Sequence, residues 1–268
     1  MLLLNNELSL SISLEQSTYQ NAENFSRAGF EAAECDLPVH YYDPVDLSLF
    51  EPFLKAVCPH IQGAGLRIAS HHLPFGTYWD ISSPDESIRT AAVEANAALI
   101  RMLEPYEGTN VVIHPSFEPI AEEARPAHIA ACKRSLEALG PIAEQCGKKI
   151  ALENLPRTCL GRTSEEMVLL TENGTLCGIC MDTTHMFHET PQQFMQRCGR
   201  WIINTHLSDY LNGQNECHWV PGTGSLNWRE ILQNLIDLRY AGVYNFEFSK
   251  YAPLEILGGL KNAIGRCM

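Results

Sequence analysis

Hydrophobic and β-branched residues recur along the chain in short runs that polar and turn-forming residues separate. Runs of this length are typical of buried β-strands when turn signals flank them. The pattern predicts eight strands, at 8–14, 30–37, 66–73, 110–116, 148–155, 176–185, 201–209 and 244–250.

The segments between these runs have the periodicity of amphipathic helices. Ser83-Pro84-Asp85-Glu86 and Thr163-Ser164-Glu165-Glu166 are typical of capped helix starts. Each predicted strand is therefore followed by its own predicted helix, at 18–29, 46–65, 84–106, 124–147, 163–173, 190–199, 227–242 and 253–265.

Strands that alternate with helices pair in parallel through right-handed crossovers. Eight such units in 268 residues predict an α/β fold, a closed (β/α)₈ or TIM barrel, with residues 1–268 as a single domain. The alternative is a doubly wound open sheet. A glycine-rich turn after the first strand would favour that sheet, and the chain has none there.

Composition narrows the function. The 32 acidic and 19 basic side chains give a formal charge of −13, and no run of Lys or Arg interrupts it, so we expect no nucleic acid partner. The first residues lack the features of a signal peptide, and no apolar run reaches the roughly 18 residues of a membrane span. We therefore expect a cytoplasmic protein with no membrane contact, whose ten cysteines are mostly reduced core residues.

The predicted strands place potential catalytic and metal-binding side chains at one end of the barrel. In barrels of this kind, active-site residues come from the carboxyl ends of strands and the loops that follow. Six consecutive strands, the third to the eighth, end in side chains that commonly bind metals: His71 and His72, His114, Glu153, Asp182 and His185, His206, and Glu247.

Glu153 and Glu247 interrupt apolar runs, ALEN and FEF. A buried carboxylate is costly unless it is paired or bound to a metal, so each residue alone is open to a second interpretation, a buried pair with Arg or Lys. Together with histidines on neighbouring strands, the carboxylates favour a site for Zn, Mn, Fe or Co.

The stretch HLSDYLNGQNECHW, residues 206–219, adds further candidates. Glu216 and His218 form an E-x-H pair, which in an extended segment directs both side chains to one side. Asp209 is open to two interpretations, a turn residue or a carboxylate that orients an imidazole.

These motifs have a family likeness. The set H-x-P-F, V-V-I-H-P, A-L-E-N, M-D-T-T-H, H-L-S-D, E-x-H-W-V-P-G-T-G-S-L-N-W and F-E-F, over roughly residues 65 to 250, resembles the xylose isomerase-like barrel superfamily. That superfamily contains sugar isomerases, ketose 3-epimerases, inositol-pathway enzymes and DNA-repair enzymes of the endonuclease IV type. The resemblance implies a central metal site of Glu153, Asp182, His206 and Glu247.

The similarity to endonuclease IV extends to further residues. His72 and His114 match its additional histidines, and His185, Glu216 and His218 match the ligands of its third metal, with Glu in place of Asp. The resemblance thus implies one to three divalent ions (Zn, Mn, Co or Mg). In many isomerase-like relatives, comparable histidines bind substrate hydroxyls instead, and both roles stay open for these five residues.

Two departures limit the resemblance. Ketose 3-epimerases carry a second Glu shortly after the glutamate of strand five, whereas residues 153–159 of this chain read ENLPRTC, which argues against a simple ketose epimerase. Enzymes like endonuclease IV need basic loops that grip DNA, and this acidic chain shows none.

The main hypothesis is a metal-dependent isomerase or epimerase of a sugar, sugar phosphate or inositol derivative. It would work by enediolate proton transfer between Glu153 and Glu247 as base and acid. Candidates for a substrate phosphate or carboxylate, or else ordinary solvated charges, are Arg157, Arg162 and Lys250.

Two other functions compete with this hypothesis. The first is a metal-dependent phosphoester hydrolase with a dinuclear or trinuclear zinc site. The second is a ligand-binding barrel without turnover, which the two intact glutamates argue against. By analogy with related barrels we expect a homo-oligomer.

Overall fold

The computed structural model describes residues 7–12, 18–39, 43–211 and 216–248, together with Gly259. Within these residues it contains eight strands: β1 (Leu8–Ile12), β2 (Ala32–Asp36), β3 (Arg67–His72), β4 (Asn110–Ile113), β5 (Lys149–Glu153), β6 (Gly178–Asp182), β7 (Ile202–His206) and β8 (Tyr244–Phe246). The same residues form helices α1 (Thr18–Arg27), α2 (Phe50–Gly63), α3 (Glu86–Met102), α4 (Arg125–Gln145), α5 (Ser164–Leu170), α6 (Pro191–Cys198) and α7 (Trp228–Asp237). The helix predicted at 253–265 lies, apart from Gly259, outside the described residues.

The strands pair in parallel in the order β7-β6-β5-β4-β3-β2-β1-β8. Just beyond β7, the amide of Leu207 donates to the carbonyl of Asn245 at 2.8 Å, and the amide of Glu247 donates to the carbonyl of Leu207 at 3.3 Å. These bonds join β7 to β8 and close the sheet. The predicted (β/α)₈ barrel is confirmed, and the open doubly wound sheet is excluded.

Several of the observed strands are shorter than the predicted ones, mostly at their carboxyl ends. Strand β4 ends at Ile113 although the run continues to 116, and β6 ends at Asp182 although the run continues to 185. His114, His185 and Glu247 therefore lie beyond the last residues of their strands, at the mouth of the barrel. Apolar composition marks burial here but not the end of the hydrogen-bonded ladder.

The outer wall of the barrel is the apolar core. Leu54, Ile61, Leu99, Leu139 and Leu170 come from helices and are fully buried against the strands. The inner wall has a separate small apolar cluster of Val112, Ala151 and Cys180. Because successive inward positions on a strand are two residues apart, Glu153 lies one layer above Ala151 and Asp182 one layer above Cys180.

Local capping agrees with the sequence. The side chain of Asp85 accepts from the amides of Ser87 and Ile88 at the start of α3, and that of Thr163 accepts from the amide of Glu166 at the start of α5. Both predicted helix starts are confirmed. Among the residues that the structure describes, no helix combines the length and the apolar composition that crossing a bilayer requires.

Candidate functional site

A cavity of about 360 Å³ opens at the carboxyl ends of the strands. Asp182 and His206 lie beside it and are fully buried. Eight other predicted site residues line the cavity: His72, His114, Glu153, Arg157, His185, Glu216, His218 and Glu247.

The four residues of the predicted central site converge. Ligand atoms of Glu153, Asp182, His206 and Glu247 all lie within 4.8 Å of one another. Nδ1 of His206 lies 3.1 Å from Oε1 of Glu153 and 2.8 Å from Oε2 of Glu247. Oδ1 of Asp182 accepts from the amide and hydroxyl of Thr184, at 2.6 and 2.9 Å, which leaves Oδ2 for the site.

Two further groups have the same spacing, and each shares a carboxylate with the central one. His72 and His114 place Nε2 at 3.1 and 3.0 Å from Oε2 of Glu153. Asp182 forms the other group with His185 and His218. Residues from six strand ends are therefore connected through Glu153 and Asp182.

Backbone carbonyls orient two of the histidines. Nδ1 of His72 donates to the carbonyl of Leu73 at 2.8 Å, so that Nε2 faces Glu153. Nδ1 of His185 donates to the carbonyl of Asn154 at 2.9 Å, so that Nε2 faces the cavity wall. Engaging one ring nitrogen fixes the tautomer and direction of the other, as in metal-bound histidines.

The loop after β7 completes the wall. Oε1 of Glu216 lies 3.3 Å from Nε2 of His185 and 3.0 Å from Nε2 of His218, while Oε2 accepts from Arg157 at 2.6 Å. Arg157 also donates to both oxygens of Glu118. Arg157 and His218 have φ angles of 54° and 42°, a conformation that is uncommon for these residue types and recurs at functional sites.

The three predicted anion-binding residues differ in surroundings. Arg157 lines the cavity but is paired with two carboxylates. Arg162 pairs with Glu122 at 2.6 Å, away from the cavity lining. Lys250 lies outside the described residues.

Burial and neighbouring charges shift the pKa values of the cluster residues in opposite directions. Burial raises the pKa of Glu153, but His206 and His114 outweigh it and hold the pKa well below its usual range. Burial lowers the pKa of His206, and the thiol of Cys180 and the carboxylates of Glu34 and Glu247 raise it well above its usual range. For Asp182 burial prevails, so its pKa is raised despite His185. Attraction between the buried carboxylates and histidines therefore compensates their loss of hydration.

The donor set fits a divalent cation. Several buried atoms have no hydrogen-bond partner: Oδ2 of Asp182, Nε2 of His185 and Oε2 of Glu247. Unsatisfied carboxylate and imidazole atoms in one cluster are what a bound cation would satisfy, and mixed nitrogen and oxygen ligands suit Zn, Mn, Fe or Co.

The sequence analysis missed two acidic residues on β2. Glu34 is fully buried beneath the site, with Oε1 2.7 Å from Nε2 of His206. Asp36 lies two residues further on, and burial raises its pKa to about 8. The signal was present, since AAECD interrupts an apolar run with a carboxylate as ALEN does.

The structure distinguishes His71 from His72, and Trp79 from Phe75. His71, next to His72, points the opposite way, and its Nε2 donates to the carbonyl of Glu107 at 2.7 Å. Phe75 stacks on His114 at 4.1 Å between ring centroids and lines the cavity, whereas Trp79 is buried against Phe50.

Asp209 holds the backbone of the loop that follows β7. Its carboxylate accepts from the amides of Tyr210, Gly222 and Leu226 and from the indole of Trp228. These contacts favour the turn interpretation over the orientation of an imidazole. The loop that carries Glu216 and His218 is fastened at its base by this one carboxylate.

Comparison with known proteins gives two related sequences and many related folds. An uncharacterised protein of Methanocaldococcus jannaschii is 31% identical over 185 residues, which are 66% of this chain and 62% of that protein. The D-psicose 3-epimerase of Enterocloster bolteae is 32% identical over 132 residues, 47% of this chain and 40% of the enzyme. The match thus spans less than two thirds of either relative.

Among solved structures, a D-tagatose 3-epimerase-like protein superposes with a TM-score of 0.81 at 22% identity, covering 97% of this chain and 96% of the other. At that identity the likeness shows a shared fold. The family model for the xylose isomerase-like TIM barrel matches residues 22–263. With its eight strands and the carboxylates and histidines at their ends, the chain belongs to the xylose isomerase-like TIM barrel family.

Proposed function

We propose that this protein is a metal-dependent isomerase or epimerase of a small polyhydroxylated carbonyl compound: a sugar, a sugar phosphate or an inositol derivative. One observation carries the proposal. Glu153 and Glu247 approach the same nitrogen of His206 from β5 and from the end of β8, beside an open cavity. The names of the D-psicose 3-epimerase and the D-tagatose 3-epimerase-like protein support a sugar.

Glu153, Asp182, His206 and Glu247 would hold the cation, because their ligand atoms are close enough to share one. When bound there, a divalent ion supplies Lewis-acid stabilisation of negative charge on substrate oxygens. Up to two more ions would use His72 and His114, or His185 and His218.

The two glutamates would move the proton. Charges of neighbouring histidines overcome the effect of burial and keep the pKa values of Glu153 and Glu247 low, so each side chain begins as a carboxylate. One carboxylate would take the proton from the carbon next to the carbonyl. The other would first take up a proton from solvent through the open cavity and then deliver it from its own side, while the first releases its proton to solvent, so that both end as carboxylates. Such positioned proton transfer typically accelerates a reaction by about 10² to 10⁴.

The cavity wall suits a sugar. Phe75, Leu155 and Pro156 offer apolar surface to ring or chain carbons, while Glu216 and His218 offer polar atoms to hydroxyls. Most of the other lining residues are ionisable, and placed polar groups of this kind fix the orientation of a small-molecule ligand. The net charge of −13 favours a small substrate over a nucleic acid.

The test combines metal analysis with a substrate screen. Native protein and the Glu153→Gln variant are analysed for bound metals and then incubated with ketoses, sugar phosphates and inositol derivatives in D₂O with Mn²⁺ or Co²⁺. We expect deuterium at the exchanging carbon with native protein and none with Glu153→Gln. Glu137→Gln, on the exposed face of α4, is the matched control and should behave as native. Native protein that binds no divalent ion and exchanges no proton would refute the proposal.

A second function has an observation in its favour. The two oxygens of Glu153 face different histidines, His72 and His114 on one side and His206 on the other, as in a carboxylate that bridges two ions. This supports a phosphoester hydrolase with two or three zinc ions. Two or more zinc ions per chain together with phosphoesterase turnover would favour the hydrolase; a single Mn²⁺ or Co²⁺ with ketose turnover would favour the isomerase.

A further inference from the structure

Glu34 is a fully buried carboxylate that the proposed reaction does not use. It lies on β2, one layer below the mouth of the barrel. Four uncharged donors from four strands converge on its two oxygens: Ser11 at 3.2 Å, Ser70 at 2.6 Å, Asn204 at 2.9 Å and Asn245 at 3.3 Å. A charged group so completely removed from water costs stability unless it is compensated.

The cationic partner of this carboxylate is His206. Oε1 of Glu34 lies 2.7 Å from Nε2 of His206, although the ring N–H does not point straight at the oxygen, so the contact is an ion pair rather than a well-aligned hydrogen bond. No Arg or Lys from the described residues pairs with Glu34. A buried pair of this kind is weak evidence for stability, which leaves a functional reason for keeping it.

His206 differs from the other site histidines in what holds its outer nitrogen. His72 and His185 donate to backbone carbonyls, those of Leu73 and Asn154. His206 meets a carboxylate instead. A carboxylate partner keeps the hydrogen on Nε2 when the ring loses its other proton from Nδ1. The Nδ1 lone pair then faces Glu153 and Glu247, and the donor strength of the ring is raised.

We propose that Glu34 is a positioning residue for the metal site, which holds His206 with Nδ1 turned to the cation; the inference rests on the proposed metal-dependent function. Glu34 itself touches neither substrate nor cation. Its loss weakens the binding of the cation by about 10- to 100-fold, the usual effect of removing a group that orients a metal ligand.

The variant Glu34→Gln is suited to the test because the barrel can accommodate it. Oδ1 of Asn204 and Oδ1 of Asn245 have no hydrogen-bond partner. The new amide N–H groups can donate to one of these oxygens, and Ser70 can still donate to the remaining amide oxygen. The matched control is Glu166→Gln, which removes a mostly buried carboxylate from its pair with Arg125.

The experiment measures Co²⁺ binding to metal-stripped full-length protein by calorimetry, with the visible absorption spectrum of the bound Co²⁺ and the melting temperature of the metal-free protein. We expect Glu34→Gln to bind Co²⁺ about 10- to 100-fold more weakly than native protein and to change its spectrum, while Glu166→Gln binds like native protein. Native affinity and spectrum in Glu34→Gln would overturn the inference and leave the proposed function intact. Failure of native protein to bind Co²⁺ would overturn both.

If Glu34→Gln does not fold, native protein loaded with Zn²⁺ decides the matter. Imidazole ¹⁵N chemical shifts distinguish a ring bound through Nδ1 with hydrogen on Nε2 from the opposite arrangement. The first supports the role of Glu34, because only that tautomer places Nε2–H beside it. The second overturns it.

Discussion

The inner and outer walls of the barrel are equally buried but chemically opposite. On the inner wall near the mouth, Glu153, Asp182 and His206 are at most 1% exposed and carry charge. On the outer wall, Leu99 and Leu139 are fully buried and apolar. Apolar burial stabilises the fold by roughly 25 cal/mol per Å², whereas buried charges cost free energy until they are paired. The apolar outer wall therefore supplies stability that offsets the free-energy cost of burying the charged cluster on the inner wall.

Strand β3 repeats this contrast at two adjacent residues. His72 faces Glu153, which together with other carboxylates outweighs burial and raises the pKa of His72 to about 9. His71 faces the opposite way, and burial lowers its pKa to about 4. The same side chain is thus set to opposite protonation states by which side of one strand it occupies.

The strongest test of the contrast is Glu153→Gln on the inner wall. We expect turnover to fall by about 10³-fold or more, because the variant loses both a proton carrier and a candidate ligand. The melting temperature of the metal-free protein should also fall, because the buried histidines around Glu153 lose the carboxylate that compensates their charge. Steady-state kinetics and calorimetry measure the two effects. A variant with native turnover would remove Glu153 from the mechanism.

On the outer wall, Leu139→Ala should lower stability without affecting turnover. Truncating this fully buried leucine of α4 leaves a cavity and is expected to lower the free energy of unfolding by about 2 to 5 kcal/mol. The turnover per folded molecule should be unchanged. Chemical denaturation and kinetics at low temperature test the pair of expectations, which a loss of kcat in fully folded protein would contradict.

The pH dependence of stability tests the lowered pKa of His71. The pKa of His71 is lower in the folded chain, about 4, than in the unfolded chain, about 6.5, so between these values only the unfolded chain binds the proton. The stabilisation is complete above about pH 6.5 and is lost as pH falls towards 4. A difference of about 2.5 units corresponds to at most about 3 kcal/mol.

The matched measurement compares His71→Gln with native protein in urea at pH 7 and pH 4.5. A glutamine amide can still donate to the carbonyl of Glu107, so the variant should fold and lose less stability than native protein on acidification. An identical acid sensitivity in both proteins would show that His71 is not the group responsible.

Binding of the cation should stabilise the folded protein, because the cation compensates the buried charges of the inner wall. At a free Co²⁺ concentration of 100 times its Kd, the folded state is stabilised by about 2.7 kcal/mol. Calorimetric melting with Co²⁺ and with a chelator measures the shift in Tm. Glu153→Gln should lose most of this shift, whereas Leu139→Ala should keep all of it; equal shifts in the two variants would mean that the cation binds elsewhere.

The smallest effect is expected for Arg162→Ala. Arg162 pairs with a well-exposed Glu122 and does not line the cavity. Exposed ion pairs contribute little, so the melting temperature should not change measurably. If Arg162 held a substrate phosphate, KM would rise severalfold for a phosphorylated substrate; we expect KM to stay as in native protein.

The sequence by itself determined the eight strands and their parallel closure, and it predicted most of the residues that meet at the mouth of the barrel. A short apolar run is a local property, and a carboxylate such as Glu153 that interrupts one is a candidate for a buried site without any knowledge of its partners. The amphipathic periodicity between the runs likewise predicted the seven described helices.

Only the tertiary structure decided which residues meet. It connected three groups of ligands through Glu153 and Asp182, paired Arg157 with Glu118 and Glu216, and placed Glu34 beneath His206. These contacts join positions up to 172 residues apart. Their distances depend on the stagger and tilt with which the barrel closes, and the sequence of any one strand does not specify these.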